Sequence, residues 1–458
     1  MSKKKYLTAA LFSALTLTAC GGGTSTNQDS DAAQNGGQGN STEVEIVWRG
    51  SGEGDPVADF LNEFEPAFEE ENPDIDLVLT PITGGEGDYF TKLNLSMQSP
   101  ETAPDIVSQD SYVLNSDANA GYLKNLDENV TAWDEWSQFL DPAIDSVTAE
   151  DGSVYAIPAT LDTRGLWYNK DVFKAAGLPE DWQPESWEDI YGAIDAIQAS
   201  GSDAVPFSMN VAQVNSKPTT LQTFMMLLYS TGETLYDDET QKWNVNGQGI
   251  VDSFTFIDEI MNQRKAGPSL STALNTNYVP AVMHEMLPND QVGIVLDGIW
   301  HARKYVEGGV AETPNPEEKY GFVALPTQNG EEPGHVTMTG TWAWSIPENS
   351  QNQEEAWRVI QAMSSTEWQL NRVNKEGTLT VREDAAEDST YKERFMIEEG
   401  QQALDNAHFR PKNDLYPNVS VEVASAVEAV ATGELTPEQA AEQYRNAVIQ
   451  LAGEENVQ

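Results

Sequence analysis

From Val44 to Leu79 the chain reads strand, helix, strand, and that alternation limits the folds open to it more than any other feature. Val44-Glu45-Ile46-Val47-Trp48 is a short strand signal. Asp55-Pro56 supplies an N-cap and a first helical position, after which Val57, Phe60, Leu61, Phe64 and Phe68 recur at helical spacing. Pro66 falls inside that stretch and should kink the helix or end it early, because proline removes an N–H from the helical ladder. Asn72-Pro73 stops the helix, and Ile75, Leu77 and Leu79 then alternate with polar residues as the next strand. A β-α-β unit of this kind builds a sheet flanked by helices.

The alternation continues to the end of the chain. Ile106–Ser108, Tyr155–Pro158, Val292–Leu296, Gly321–Leu325 and Trp342–Ile346 read as strands. Ser186-Trp187-Glu188-Asp189 resembles a capping box ahead of Ile190, Ile194 and Ile197, and Thr436-Pro437-Glu438-Gln439 opens the last helix in the same way. The apolar run Leu221–Leu228 is too short for a bilayer and reads as a buried helix segment. No repeat of solenoid period is present. The expected class is α/β, with two or three domains' worth of chain around separate cores.

Charge narrows the partners. With 74 Asp plus Glu against 25 Lys plus Arg, the net charge of −49 would repel nucleic acid and an anionic membrane alike. The acids are spread over helix surfaces, as at Glu63, Glu65 and Glu69, which suits a solvated surface in high salt, where screening makes self-repulsion tolerable.

The N-terminus has export grammar: Lys3-Lys4-Lys5, an apolar run Tyr6–Ala19, then Leu17-Thr18-Ala19-Cys20. The tetrapeptide resembles the lipobox of bacterial lipoproteins, so residues 1–20 are expected to be a signal peptide and Cys20 the lipidated residue. Residues 21–43 are almost all small or polar and are expected to form a flexible tether. The implied location is outside the cell, lipid-anchored at the outer face of the cytoplasmic membrane. Cys20 is the only cysteine, which excludes disulfides and thiolate metal sites.

Signals for catalysis are sparse. The four histidines, His284, His301, His335 and His408, do not fall at metal-ligand spacing, and no G-x-S-x-G elbow or P-loop is present. Gly50–Gly54 follows a strand and opens a helix like a phosphate cradle, but it lacks the G-x-G-x-x-G spacing and carries Glu53 where a phosphate would sit. With 74 acids, carboxylate pairs suited to glycoside hydrolysis arise by chance and carry little information.

Binding is where the sequence becomes specific. Asp151-Gly152-Ser153-Val154-Tyr155-Ala156-Ile157-Pro158, running on to Leu166-Trp167-Tyr168-Asn169-Lys170-Asp171, resembles the signature of extracellular solute-binding proteins of ABC importers, in their sugar-binding group. Val295–Trp300, Thr339–Pro347, Arg410-Pro411 with Tyr416-Pro417, Glu354–Trp357 and Gly433–Ala440 resemble the same family in the same order, so the likeness spans residues 44–453. It implies a two-lobed periplasmic-binding-protein fold of type II, each lobe a sheet flanked by helices, with the ligand cleft between them. One lobe would take residues 43–159 and 335–382, the other 160–334 and 383–458. It further implies a monomer that closes on a di- or oligosaccharide and hands it to membrane permeases, with no cofactor, no metal and no catalysis.

Sugars present apolar C–H faces and in-plane hydroxyls, so their sites combine aromatic plates with carboxylate, Arg or amide groups. The resemblance assigns the plates to Trp300 and Trp342, the latter beside Gly340, with Trp344 deeper in the same strand. It assigns the polar contacts to Glu53, Asp110, Asp162, Arg164 and Arg410. The other tryptophans, among them Trp133, Trp182, Trp243 and Trp357, are expected to pack in the body of the protein. Thr160 stands where maltose- or trehalose-binding relatives often carry an aromatic, which leaves the particular sugar open. Two alternatives stay open as well: a betaine-like compatible solute held by cation–π attraction, and an exported glycoside hydrolase.

Overall fold

The computed structural model describes residues 41–458 apart from Glu53. Cys20, the signal segment and nearly all of the tether therefore lie outside the described residues, as does Glu53. Two main sheets organise the rest. The first has five strands in the spatial order Ile75–Thr83, Thr42–Gly50, Ile106–Asp110, Thr341–Ser345 and Ile157–Leu161. Its first three strands run parallel, as the β-α-β reading requires, and Thr341–Ser345 inserts antiparallel to both of its neighbours. The second has four strands in the order Tyr320–Val323, Arg164–Asn169, Val292–Gly298 and Val205–Ser208.

Both faces of the second sheet are covered. Leu166 and Tyr168 enter one apolar cluster and Trp167, between them, enters the other. That is why Leu166-Trp167-Tyr168 reads as a continuous apolar run instead of an alternation. A small sheet of Leu325–Pro326, His335–Met338 and Ala407–His408 lies close to the chain's crossings between the two main sheets. The first crossing, Asp162-Thr163, joins the two main sheets directly in two residues; the second leaves the second sheet at Val323, passes through the small sheet and enters the first sheet by way of Thr339-Gly340.

Helix starts follow local chemistry. Asp55 caps the helix Pro56–Glu71 by accepting from Val57 N at 3.0 Å, and Phe60, Leu61, Phe64 and Phe68 are its buried stripe. Contrary to an early end at Pro66, this helix continues to Glu71. Pro66 lies on the exposed face with Asn62, where water can satisfy the carbonyl it leaves free, while Phe64 and Phe68 anchor the helix on either side. The box at Thr436–Gln439 forms in full. The one expected at Ser186 does not: the Ser186 hydroxyl donates to Asp189 Oδ2 at 3.1 Å, so it is not capping the backbone. Leu221–Leu228 is a wholly buried helical segment whose first part is a π-turn. Among the described residues no helix is long and apolar enough to cross a membrane.

Candidate functional site

The crossings set the site. Asp162 accepts from Gly340 N at 2.7 Å, and its own backbone carbonyl takes the Thr339 hydroxyl at 2.8 Å, so the two crossings are tied together. A Cβ on residue 340 would stand 3.0 Å from Arg410 Nη2 and 3.4 Å from Asp162 Oδ1, so this position has room for little more than glycine. The third chain return reaches the same place: Thr339 N bonds to His408 O at 2.9 Å, two residues before Arg410.

Around this junction lies a cavity of about 430 Å³. The structure brings seven of the sequence-derived site residues to its wall: Asp110, Asp162, Arg164, Trp300, Gly340, Trp342 and Arg410. A wider depression of about 780 Å³, lined by Gln183, Glu185, His335 and Glu399 among others, contains none of them.

The polar residues are not solvated surface charges. Asp110, only 2% exposed, accepts from Arg410 Nη2 and from Lys217 Nζ, each at 2.6 Å, and from Tyr112 N at 2.8 Å. Burial alone would raise its pKa; Arg410 and Lys217 outweigh that and hold the carboxyl well below the usual carboxylate range. Arg410 in turn bonds Ser111 Oγ at 2.8 Å, yet its Nε and Nη1 keep no partner among the described residues. Arg164 pairs with Asp162 and donates to Met338 O at 3.0 Å, and its Nε is likewise unpartnered. Two buried guanidiniums thus line the cavity, each with a buried N–H group that has no partner among the described residues.

The aromatic plates sit differently. Trp300 follows the strand Val292–Gly298, and its ring lies so close to Gly298 that any side chain there would collide with it. The Arg164 guanidinium stands 5.1 Å from the Trp300 ring centre. Trp342 stacks on Phe90 at 6.2 Å with an interplanar angle of 10°, and Lys217 Nζ approaches its ring at 5.7 Å. Trp344 is 1% exposed, under the Arg372 guanidinium at 4.6 Å, and belongs to the core. A bulge between Trp342 and Ala343 interrupts the register between the two tryptophans. Trp182, Trp187 and Trp243 are buried, and Trp133, Trp136 and Trp357 pack against the core.

In the glycine loop, Asp55 accepts from Ser51 N at 3.1 Å, and also from Trp48 Nε1 at 3.0 Å, so the chain's own carboxylate sits where one of the loop's N–H groups points.

Sequence reasoning missed Arg49, Glu86, Lys217, Asp297, His301, Lys304 and Glu376 on the cavity wall, where Thr160 also stands. Scarcity was the available signal for the lysines, as it was for the arginines: with 25 bases against 74 acids, each base merits a question about its partner. Lys217 bridges Glu86 at 2.7 Å and Asp110 at 2.6 Å. Among the described residues no group of three or more His, Cys, Asp or Glu is placed to hold a metal.

Behind Trp300, the His284 and His301 rings lie 5.8 Å apart. Burial, reinforced by His301 and Lys304, pushes His284 from 6.5 down to about 4. Between those values the unfolded chain binds a proton at this position that the folded chain does not, so this histidine's contribution to stability falls as pH falls from 6.5 to 4 and is constant above. Asp117, raised to about 6 by burial, pulls in the opposite direction over part of that window. The check is therefore a difference: unfolding free energies of the wild type and His284→Gln should diverge with pH below 6.5, with the variant less acid-sensitive. Parallel curves would contradict the assignment.

Two sheets joined by crossings, with a charged and aromatic cavity at the junction, define a two-lobed binding protein of the periplasmic type. The sequence agrees: residues 51–370 match the family described as bacterial extracellular solute-binding protein, and the chain belongs to that family. A binding protein of Brucella abortus (strain 2308) is 23% identical over 398 residues, covering 83% of this chain and 86% of that one. An ABC transporter solute-binding protein from Thermotoga lettingae, solved with α-D-tagatose, superposes with a TM-score of 0.74 at 24% identity, covering 90% of this chain and all of that one (100%). The GacH receptor of Streptomyces glaucescens, solved unliganded and with acarbose, gives 0.76 at 22% identity, covering 90% and 99%. At these identities the solved structures establish the fold.

Proposed function

We propose that this protein captures a di- or oligosaccharide in the cavity at the crossings, closes on it by hinge motion, and delivers it to the permease of an ABC importer. One observation carries the reading: Trp300 and Trp342 stand on the wall of the same cavity as Asp162, Arg164, Asp110 and Arg410. Apolar plates and in-plane donors and acceptors are what pyranose rings require. The sugars in the structures of the Thermotoga and Streptomyces proteins support this class of ligand. Residues 43–159 with 335–382 form one lobe in this reading, residues 160–334 with 383–458 the other, and the crossings between the main sheets are the hinge.

The test is a thermal-shift screen against a carbohydrate panel, since a ligand that binds only the folded state raises its apparent stability. At least one oligosaccharide should raise the melting temperature. A panel that shifts nothing, with release of sugar from a chromogenic glycoside, would replace the reading with a hydrolase. A betaine-like solute is disfavoured on electrostatic grounds: Arg164 and Lys217 already approach the two tryptophan rings, so a second cation there would be repelled.

Export and anchoring through Cys20 belong to the same proposal. Cys20→Ser should leave a protein that still binds sugar but fractionates away from the membrane; a variant that is processed and yet stays fully membrane-bound would contradict it. A saline setting is also part of the reading. With a charge of −49, the melting temperature should climb from dilute buffer to molar salt, and a flat profile would count against it.

A further inference from the structure

In a chain with three acids for every base, the cavity wall carries as many bases as acids: Arg49, Arg164, Lys217, Lys304 and Arg410 against Glu86, Asp110, Asp162, Asp297 and Glu376. Four of its five carboxylates are ion-paired, and the fifth, Asp297, keeps Oδ2 without a partner among the described residues. Glu86 and Asp110 share Lys217, Asp162 pairs with Arg164, and Asp297 lies 3.5 Å from His301 and accepts from Gly298 N at 2.8 Å. Glu376 is held at 2.6 Å by Arg372, a cation that does not itself line the cavity. One cation is left over. Lys304 lines the cavity half-buried and forms no ion pair among the described residues. Burial and the neighbouring Arg303 both lower its basicity, with no carboxylate near enough to offset them. Arg164 and Arg410 line the same cavity, 4% and 7% exposed.

A partly desolvated ammonium without a counter-ion is unfavourable in the empty site, and a neutral hydroxyl repays little of that cost. A bound anionic oxygen group repays it and gains charge-assisted hydrogen bonds besides. We propose that the sugar captured here carries an acidic substituent, a carboxylate or a phosphate ester, recognised by Lys304. The proposal rests on the sugar-binding reading and narrows it. The overall negative charge does not oppose such a ligand at physiological salt, where fields beyond about 8 Å are largely screened and the charges on the cavity wall dominate.

The experiment is a thermal-shift screen followed by calorimetric titration with three probe sets. The first holds neutral oligosaccharides from starch, cellulose and galactan. The second holds uronate oligosaccharides from pectin and alginate, and the third holds hexose phosphates. An acidic probe should bind at least about tenfold more tightly than any neutral one, as expected for an added charge-assisted contact. Whether it comes from the second or third set decides between carboxylate and phosphate. In Lys304→Gln that preference should collapse, and in Lys304→Arg it should persist, with melting curves showing that both variants are folded. Tight binding of neutral probes alone overturns this inference and leaves the sugar-binding reading standing. Binding of none overturns both. An acidic preference that survives Lys304→Gln overturns the role of Lys304.

Discussion

Asp110→Ala is expected to lower the protein's stability by about 3–5 kcal/mol, the usual penalty for leaving a buried cation without its partner. Here Arg410 would lose its carboxylate and Lys217 would be left with Glu86 alone. Arg410 is 7% exposed and Lys217 lies on the cavity wall, and both donate to the Asp110 carboxylate at 2.6 Å. The stability that this carboxylate provides depends on its being ionised. Its folded pKa lies below the unfolded value, so the contribution is complete above the unfolded pKa and fades as pH falls through the folded one. Denaturant unfolding at neutral pH is the measurement. Adding Arg410→Met to Asp110→Ala should restore part of the loss, because an apolar replacement no longer leaves that charge uncompensated. A single mutant with wild-type stability would show that the triad is solvated and that the site's charges are independent.

Trp300→Ala and Trp342→Ala should each weaken sugar binding by more than tenfold, about 2 kcal/mol, while leaving a folded protein. A fully buried tryptophan behaves differently. Trp344→Ala should cost about 3–5 kcal/mol of stability, because it opens a void in the core. Titration and melting curves on the three variants separate plates from packing. Of the two plates, Trp342 is the better supported from behind, stacked on Phe90, so its loss should cost more stability than that of Trp300. Unchanged affinity in a folded Trp300→Ala would remove that ring from the site.

The local elements were largely legible because their causes are local. Asp55-Pro56 ahead of Phe60, Phe64 and Phe68 specifies a helix whichever sheet it later covers, and Thr436-Pro437-Glu438-Gln439 carries both halves of its own cap. Where a second local contact competed, the reading failed: Ser186 had Asp189 within reach and bonded to it. Family motifs carried the site further than periodicity could, and seven of those residues line one cavity.

The state of the site's charges is another matter. Nothing in the sequence near Asp110 announces Arg410, 300 positions away, or Lys217, 107 positions away. An ion pair is a property of distance in space, and in a chain with 74 acids the sequence offers every base many candidates. Sequence alone therefore determined the α/β alternation, the helix ends and the binding-protein signature, all of which depend on neighbours within a few residues or on motif order. Only the tertiary structure decided which carboxylates are already neutralised, that Trp344 is core while Trp342 borders the cavity, and that Lys304 has no ion-pair partner among the described residues. Those outcomes depend on which strands the crossings bring together, and on how much water is excluded when they meet.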